Sequence, residues 1–181
     1  MTSPKYVGGL DPSLSNFGMV KGIVNYTNAQ PVSFTPLFIK LVVTKEDKSI
    51  KYKNERDLQR ARKLGSAMVE FFHGIDTVYV EMPVGSQSAR AMASYGICIG
   101  VVAALGKRVI RVSAKDVKLV STADPNATKR DMIKWATEKY PKLPWLKKVR
   151  VGVETFIGAN EHVSDALAAV HVGLKIGNQN D

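Results

Sequence analysis

Apolar residues from Tyr6 to Leu10 run into the polar break Asp11-Pro12-Ser13, and a second apolar run extends from Phe17 to Val24. Two such runs on either side of turn-forming residues predict a strand, a tight turn and a paired strand. Val32 to Val43 predicts another strand, because Phe38, Ile39, Leu41, Val42 and Val43 favour extended packing. Pro36 has no amide hydrogen to give a neighbouring strand, so it predicts an edge position or a bulge. Residues Thr44 to Lys53 mix Glu46 and Asp47 with Lys45, Lys48, Lys51 and Lys53, the composition of a solvated connection.

From Asn54 the period changes. Leu58, Ala61, Leu64, Ala67, Met68, Phe71 and Phe72 fall on one broad helical face, with Arg56, Arg60 and Lys63 outside it. Val78-Tyr79-Val80 predicts a short buried strand that leaves Glu81 at its end, before Met82-Pro83. Gln87 to Leu105 predicts a buried helix in which Ala91, Ser94, Gly96, Gly100 and Ala104 let another element approach closely, although glycine weakens a helix interior. Val109 to Val112 predicts a strand followed by a turn at Ser113-Ala114-Lys115. Thr128 caps a helix with Met132, Ile133 and Ala136 facing inward and Pro141 and Pro144 beyond its end. After Lys147 to Val151, a loop through Gly158-Ala159-Asn160 leads into a last helix carrying Glu161, His162 and Asp165 ahead of the apolar run Ala166 to Val170. With no repeat and no break in composition, the pattern predicts one α/β domain over residues 1–181, a mixed central sheet with flanking helices.

Charge adds a partner to this picture. The 26 Lys and Arg against 16 Asp and Glu give a formal net charge of +10, while 45% of residues are hydrophobic, which excludes a disordered basic tail. A polyanion is the first partner to consider. Nine basic residues face four acidic ones between Lys40 and Lys63, and thirteen face four between Leu105 and Arg150. Such stretches suit the walls of a phosphate channel, with Lys115, Lys118, Lys129 and Arg130 as candidate contacts, and equally suit a solvated surface. Arg90, in Ser86-Gln87-Ser88-Ala89-Arg90, is a candidate phosphate contact at a helix start, or part of a polar cap. The single Cys98 excludes an intrachain disulfide and a cysteine zinc cluster. The amino terminus lacks a secretory hydrophobic segment, and the uncharged run between Arg90 and Lys107 is short for a membrane span. An intracellular setting (cytoplasm, nucleoid or organelle) with no membrane partner is the expectation.

The carboxylates sharpen the chemistry. Asp11 follows the first strand, Glu81 follows a central strand, and Glu161 and Asp165 are one turn apart at a helix start, with His162 and Asp165 a second same-face pair. If the helix start packs beside the two strand ends, the oxygen-rich set suits Mg²⁺. Two ions held there would serve phosphodiester hydrolysis, one at the attacking and one at the departing oxygen. Taken singly, Asp11 is a turn former before proline, Glu81 a turn cap, Glu161 a first-turn helix acid, and Asp165 a surface ion-pair partner.

Three segments, Gly9 to Gly18, Val78 to Glu81 and Glu161 to Ala168, resemble the RuvC-like Holliday-junction resolvases of the RNase H-like superfamily, and the resemblance spans most of the chain. It implies an RNase H-like fold and catalytic metal ligands at Asp11, Glu81 and Asp165. A fourth ligand is either His162 or Glu161. It further implies two Mg²⁺ ions per site, replaceable by Mn²⁺, and a lysine, Lys118 or Lys129, that assists phosphate hydrolysis. The implied assembly is a homodimer that nicks opposing strands of four-way or other branched DNA and leaves ligatable ends. Ser13-Leu14 stands where a glycine-rich turn is expected, and Lys148 to Glu154 is inserted before the last site. These departures leave the subgroup open, with a phage or organellar branch among the readings. Two other classes compete: a non-catalytic binder of DNA junctions or single strands, and a homodimeric structural adaptor. Both gain if Asp11, Glu81 and Asp165 do not converge.

Overall fold

The two amino-terminal runs pair, but the turn between them begins later than the Asp-Pro pattern suggests. In the computed structural model, which describes residues 5–177, β1 (Lys5–Pro12) and β2 (Asn16–Thr27) are antiparallel, with Asp11 opposite Gly18 and Pro12 opposite Phe17. Ser13 and Asn16 exchange both backbone hydrogen bonds, at 3.1 and 3.2 Å, so the reversal occupies Ser13 to Asn16 and Asp11 stays in the strand. β3 (Gln30–Val43) continues the meander as an edge strand. Its register jumps between Lys21–Phe38 and Gly22–Pro36, so Pro36 lies at both an edge and a bulge. After α1 (Lys53–Phe71), β4 (Thr77–Glu81) joins β1 in parallel. α2 (Ala89–Ala103) then leads to β5 (Arg108–Val112), parallel to β4, completing a mixed sheet in the order β3-β2-β1-β4-β5.

Alternation along the strands splits the core in two. Leu10, Phe17, Met19, Val78 and Val80 face α1 and α2, where Leu64, Met68 and Phe72 are fully buried. Val7, Val20, Val24 and Tyr79 face the opposite layer, with α3 (Ala114–Thr122), α4 (Lys129–Lys139) and α5 (Asn160–Gly177). Each large apolar side chain buried this way contributes about 1.5–3 kcal/mol. α5 lies so close to the sheet that a Cβ at Gly9 would stand 2.1 Å from the Ala166 carbonyl oxygen, and one at Gly18 2.0 Å from that of His162. Glycine at these two strand positions therefore sets the height of α5 and, with it, the depth of its first turns.

Four expectations are corrected. Arg60, placed outside the apolar face of α1, is 7% exposed, and Leu58, placed on it, is exposed. Arg60 follows the buried stripe of Leu64 and Met68 at four-residue spacing, and its guanidinium is satisfied by Thr44 Oγ1 at 3.0 Å and Ser15 Oγ at 2.9 Å. α2 is mostly exposed: only Cys98 and Val102 are buried, because one narrow stripe reaches α1 and the sheet. Ser113 begins a helix instead of a turn; its hydroxyl accepts from the Asp116 amide and caps α3. The segment after Lys147 forms a two-stranded ribbon, β6 (Lys147–Arg150) and β7 (Val153–Phe156), turning through Val151-Gly152. Thr128 and Asp131 form the expected capping box of α4. Among the described residues, no helix is long and apolar enough to cross a membrane.

Candidate active site

Leu10 and Val80 are partners across the parallel β1–β4 pair, so the next residues, Asp11 and Glu81, stand side by side at the carboxyl ends of the two strands. The first turns of α5 come down onto this edge. Asn160, almost fully buried, fixes that start: its side chain accepts from the Leu146 amide at 3.1 Å and donates to the Leu146 carbonyl at 2.8 Å. His162 Nδ1 then lies 2.5 Å from Asp11 Oδ2, and its Nε2 lies 3.5 Å from Glu161 Oε1. Lys129, the first residue of α4, donates to Glu161 at 2.7 Å.

Crowding shapes the electrostatics. Burial, reinforced by Asp11, pushes the Glu81 carboxyl up to about 7, against the pull of Lys118 and His162. Asp165 is raised well above the carboxylate range by burial and then by Asp11, Glu81 and Glu161, with Lys118 opposing. Burial also raises Asp11, although its hydrogen bond to His162 works the other way. For His162, burial disfavours the charged ring, but the hydrogen bond and charge of Asp11 outweigh it and raise the imidazole. Lys129 is raised by its bond to Glu161. Three carboxyls pushed up together are what like charges in a desolvated pocket produce.

Glu81 Oε2 and Glu161 Oε2 are buried without a hydrogen-bond partner. Orphaned carboxylate oxygens are costly, and a hard cation with oxygen ligands satisfies them. The donor set of Asp11, Glu81, Glu161, His162 and Asp165 therefore fits Mg²⁺ in its chemistry. Its spacing is not that of a ready-made shell: among the described residues, no three His, Cys, Asp or Glu side chains form a group able to hold an ion as they stand. The Asp11–His162 pair takes one oxygen and one nitrogen out of any common centre.

The other candidates divide. Half-buried Lys118 acts on Glu81 and Asp165 from α3, and Lys129 is bonded into the cluster. Arg130 lines a groove that also includes Glu161. Lys115 is exposed on the first turn of α3. Arg90 is directed elsewhere: it makes a two-pronged ion pair with Asp57 at 2.7 and 3.0 Å, bridging α2 to α1. Sequence reasoning missed Arg60, which braces the Ser13–Asn16 reversal next to Asp11 through Ser15. Its signal was its place on the stripe with Leu64 and Met68. It also missed Asn160 as the anchor of α5, a role for which a helix-start asparagine is a weak sign.

No protein-family model matches the chain, and no curated protein matches it. Solved structures do. Thermus thermophilus RuvC aligns with a TM-score of 0.64 and 18% identity, covering 96% of each chain. The same protein in complex with Holliday junction substrate gives 0.64 and 19%, covering 97% of this chain and 96% of that one. A Fowlpox virus resolvase with substrate Holliday junction DNA gives 0.50 and 11%, covering 94% and 97%. The mixed sheet, with a carboxylate at the end of each of two adjacent strands and a closing acidic helix, is an RNase H-like fold. The chain shares this fold with Thermus thermophilus RuvC over nearly its whole length.

Proposed function

We propose that the protein is a Mg²⁺-dependent, structure-selective DNA endonuclease that resolves four-way junctions as a homodimer, by paired nicks. The observation that supports this reading is the electrostatic coupling of buried Asp165 with Asp11 and Glu81, from a distant helix and two adjacent strands, beside the orphaned oxygens of Glu81 and Glu161. The Thermus thermophilus and Fowlpox virus structures of the same fold were solved with Holliday junction DNA, which supports branched DNA as the substrate. An intracellular setting belongs to the same proposal.

Asp11, Glu81 and Asp165 would hold Mg²⁺, or Mn²⁺ in its place, with His162 or Glu161 as the fourth ligand. Bound divalent ions supply a water of lowered pKa and a counter-charge for the phosphate oxygens. The chain's own residues prepare the rest. Lys118 offsets the negative charge that Glu81 and Asp165 concentrate, and would do the same for a phosphate brought to them. Lys129 holds Glu161 in position, and Arg60 fixes the reversal that follows Asp11. His162 holds Asp11 through its imidazole, so Asp11 would have to leave that pair, in part, to act as a metal ligand. The exposed face of α2, with Met92, Ile99, Gly96 and Gly100, is the candidate contact between two copies.

The test compares cutting of four-way, forked and linear DNA in Mg²⁺ by the parent and by Asp11→Asn, with binding measured separately. The expected result is selective cutting of the four-way substrate, reduced at least about a hundredfold in the variant with binding retained. Equal cutting of linear duplex would remove junction selectivity. The closed Asp11–His162 pair favours a second reading, a branched-DNA binder without catalysis, and that reading prevails if the folded parent binds junctions but never cuts them.

A further inference from the structure

The β6–β7 ribbon has no account in the fold or in the site. Among the described residues it pairs with no other strand, and all four residues of β7 are exposed. At its end stand three valines, Val149, Val151 and Val153, with 65%, 103% and 61% of their surface open. Val151 has φ 49° and Gly152 φ 76°, both left-handed. Glycine adopts that conformation freely, whereas a β-branched residue is strained in it. The tip thus holds a strained, wholly exposed apolar side chain where asparagine or glycine would serve the turn better, and no burial within the chain compensates.

A groove of about 770 Å³ separates the ribbon from α4 and includes Glu161 of the acidic cluster in its lining. Its acids are already engaged: Glu161 with Lys129, Glu154 with Lys147, Glu138 with Lys134. Arg130 and Lys148 line the same groove and, among the described residues, neither makes an ion pair, although Arg130 acts electrostatically on the neighbouring Asp131. The groove therefore offers two cations outside any ion pair, Arg130 and Lys148, between the acidic edge and an apolar tip. Four residues of strand span roughly 13 Å, the rise of about four stacked bases.

We propose that the ribbon is a branch-point wedge: Val149, Val151 and Val153 insert between bases of branched DNA, while Arg130 and Lys148 hold phosphates of the strand that runs along the groove to the acidic cluster. Inserted apolar side chains unstack base steps, and an already open branch point is where that costs least. This inference rests on the branched-DNA reading above and adds to it a base-contacting element.

The test uses the full chain and a synthetic four-way junction carrying 2-aminopurine at the branch, in a metal-free buffer where no cutting occurs. The variant combines Val149→Ser, Val151→Asn and Val153→Ser; asparagine tolerates the left-handed turn, so folding is preserved and is checked by thermal melting. The parent is expected to raise 2-aminopurine fluorescence on binding. The variant should lose that rise and bind the junction roughly tenfold more weakly, with linear-duplex binding unchanged. Arg130→Gln with Lys148→Gln should instead lower the salt dependence of binding and leave the fluorescence rise in place. A triple variant that binds and unstacks the junction like the parent overturns the proposal. So does one that loses only self-association in sedimentation, which would assign the tip to a second copy of the chain. Both readouts precede cleavage, so a parent that binds and unstacks but never cuts overturns the nuclease reading while upholding the wedge.

Discussion

At the scale of single residues, the site is a set of groups held away from their ordinary protonation. Burial pushes the Glu81 carboxyl up to about 7 from its ordinary 4.5. A carboxyl raised in the folded state binds its proton more tightly there than in the unfolded chain, so its contribution to stability is complete below pH 4.5 and is lost as pH rises through about 7. Asp11 and Asp165, also raised, act in the same sense, as does His162. Asp57 and Asp131 are lowered by their partners, so their contributions change only in more acidic solution. In chelator, the melting temperature should therefore fall between pH 5 and pH 8, and Glu81→Gln should flatten part of that fall. Adding Mg²⁺ should raise the melting temperature more at pH 8 than at pH 5. A parent melting profile that rises with pH over this range would contradict the assignment.

The positions of Asp11, Glu81 and Asp165 were legible because each sits where an apolar pattern ends or begins. The engagement of His162 with Asp11 was not. It depends on how deep α5 sinks, which no local pattern encodes.

At the scale of elements, that depth is controlled by strand glycines. Gly18 faces the His162 carbonyl across 2.0 Å of hypothetical Cβ contact, with backbone on the other side. Gly18→Ala must lift the start of α5, and overpacking of this kind costs about 1–3 kcal/mol. Thermal melting should register the loss, and Mg²⁺-dependent cutting should fall beyond what the lost stability explains, since the lift also separates Asp165 from Asp11 and Glu81. Unchanged cutting by a folded Gly18→Ala protein would show that the helix start does not set the site. Strand and helix order was readable from the change of hydrophobic period, yet the glycines at 9 and 18 read only as strand residues. Their meaning comes from α5, about 150 positions away in the chain, as the separation of 151 between Asp11 and His162 illustrates. α3 was missed because Ser113 and Asp116 cap it by a local hydrogen bond that looks like a turn signal in sequence. The ribbon was missed because Val151 is a poor residue for the turn it makes.

At the scale of the molecule, an excess of ten positive charges accompanies a cluster of buried carboxylates. On the proposed branched-DNA reading, each phosphate such a surface neutralised would make binding more salt-sensitive. α2 shows where sequence and single-chain structure part: its apolar composition reads as core, and its surface is open. Added Cβ atoms at Gly96 and Gly100 would meet nothing within 4 Å, so alanine there should strengthen the isolated helix by about 1 kcal/mol per site. If two copies meet through these small residues, Gly96→Ala with Gly100→Ala should raise the melting temperature at low protein concentration while shifting sedimentation toward monomer. Unaltered self-association would place the dimer contact elsewhere.

Because the site joins the first strand to the last helix, it cannot exist on a partly synthesised chain. A nascent polypeptide emerges amino end first, with Asp11 and the basic stretches displayed to the RNA around the ribosome long before Asp165 is made. During that interval the chain carries its basic stretches but lacks the full set of carboxylates that the proposed reaction requires. On the proposed nuclease reading, late assembly of the α5 start against Gly9 and Gly18 would keep a growing chain chemically silent until that helix has docked.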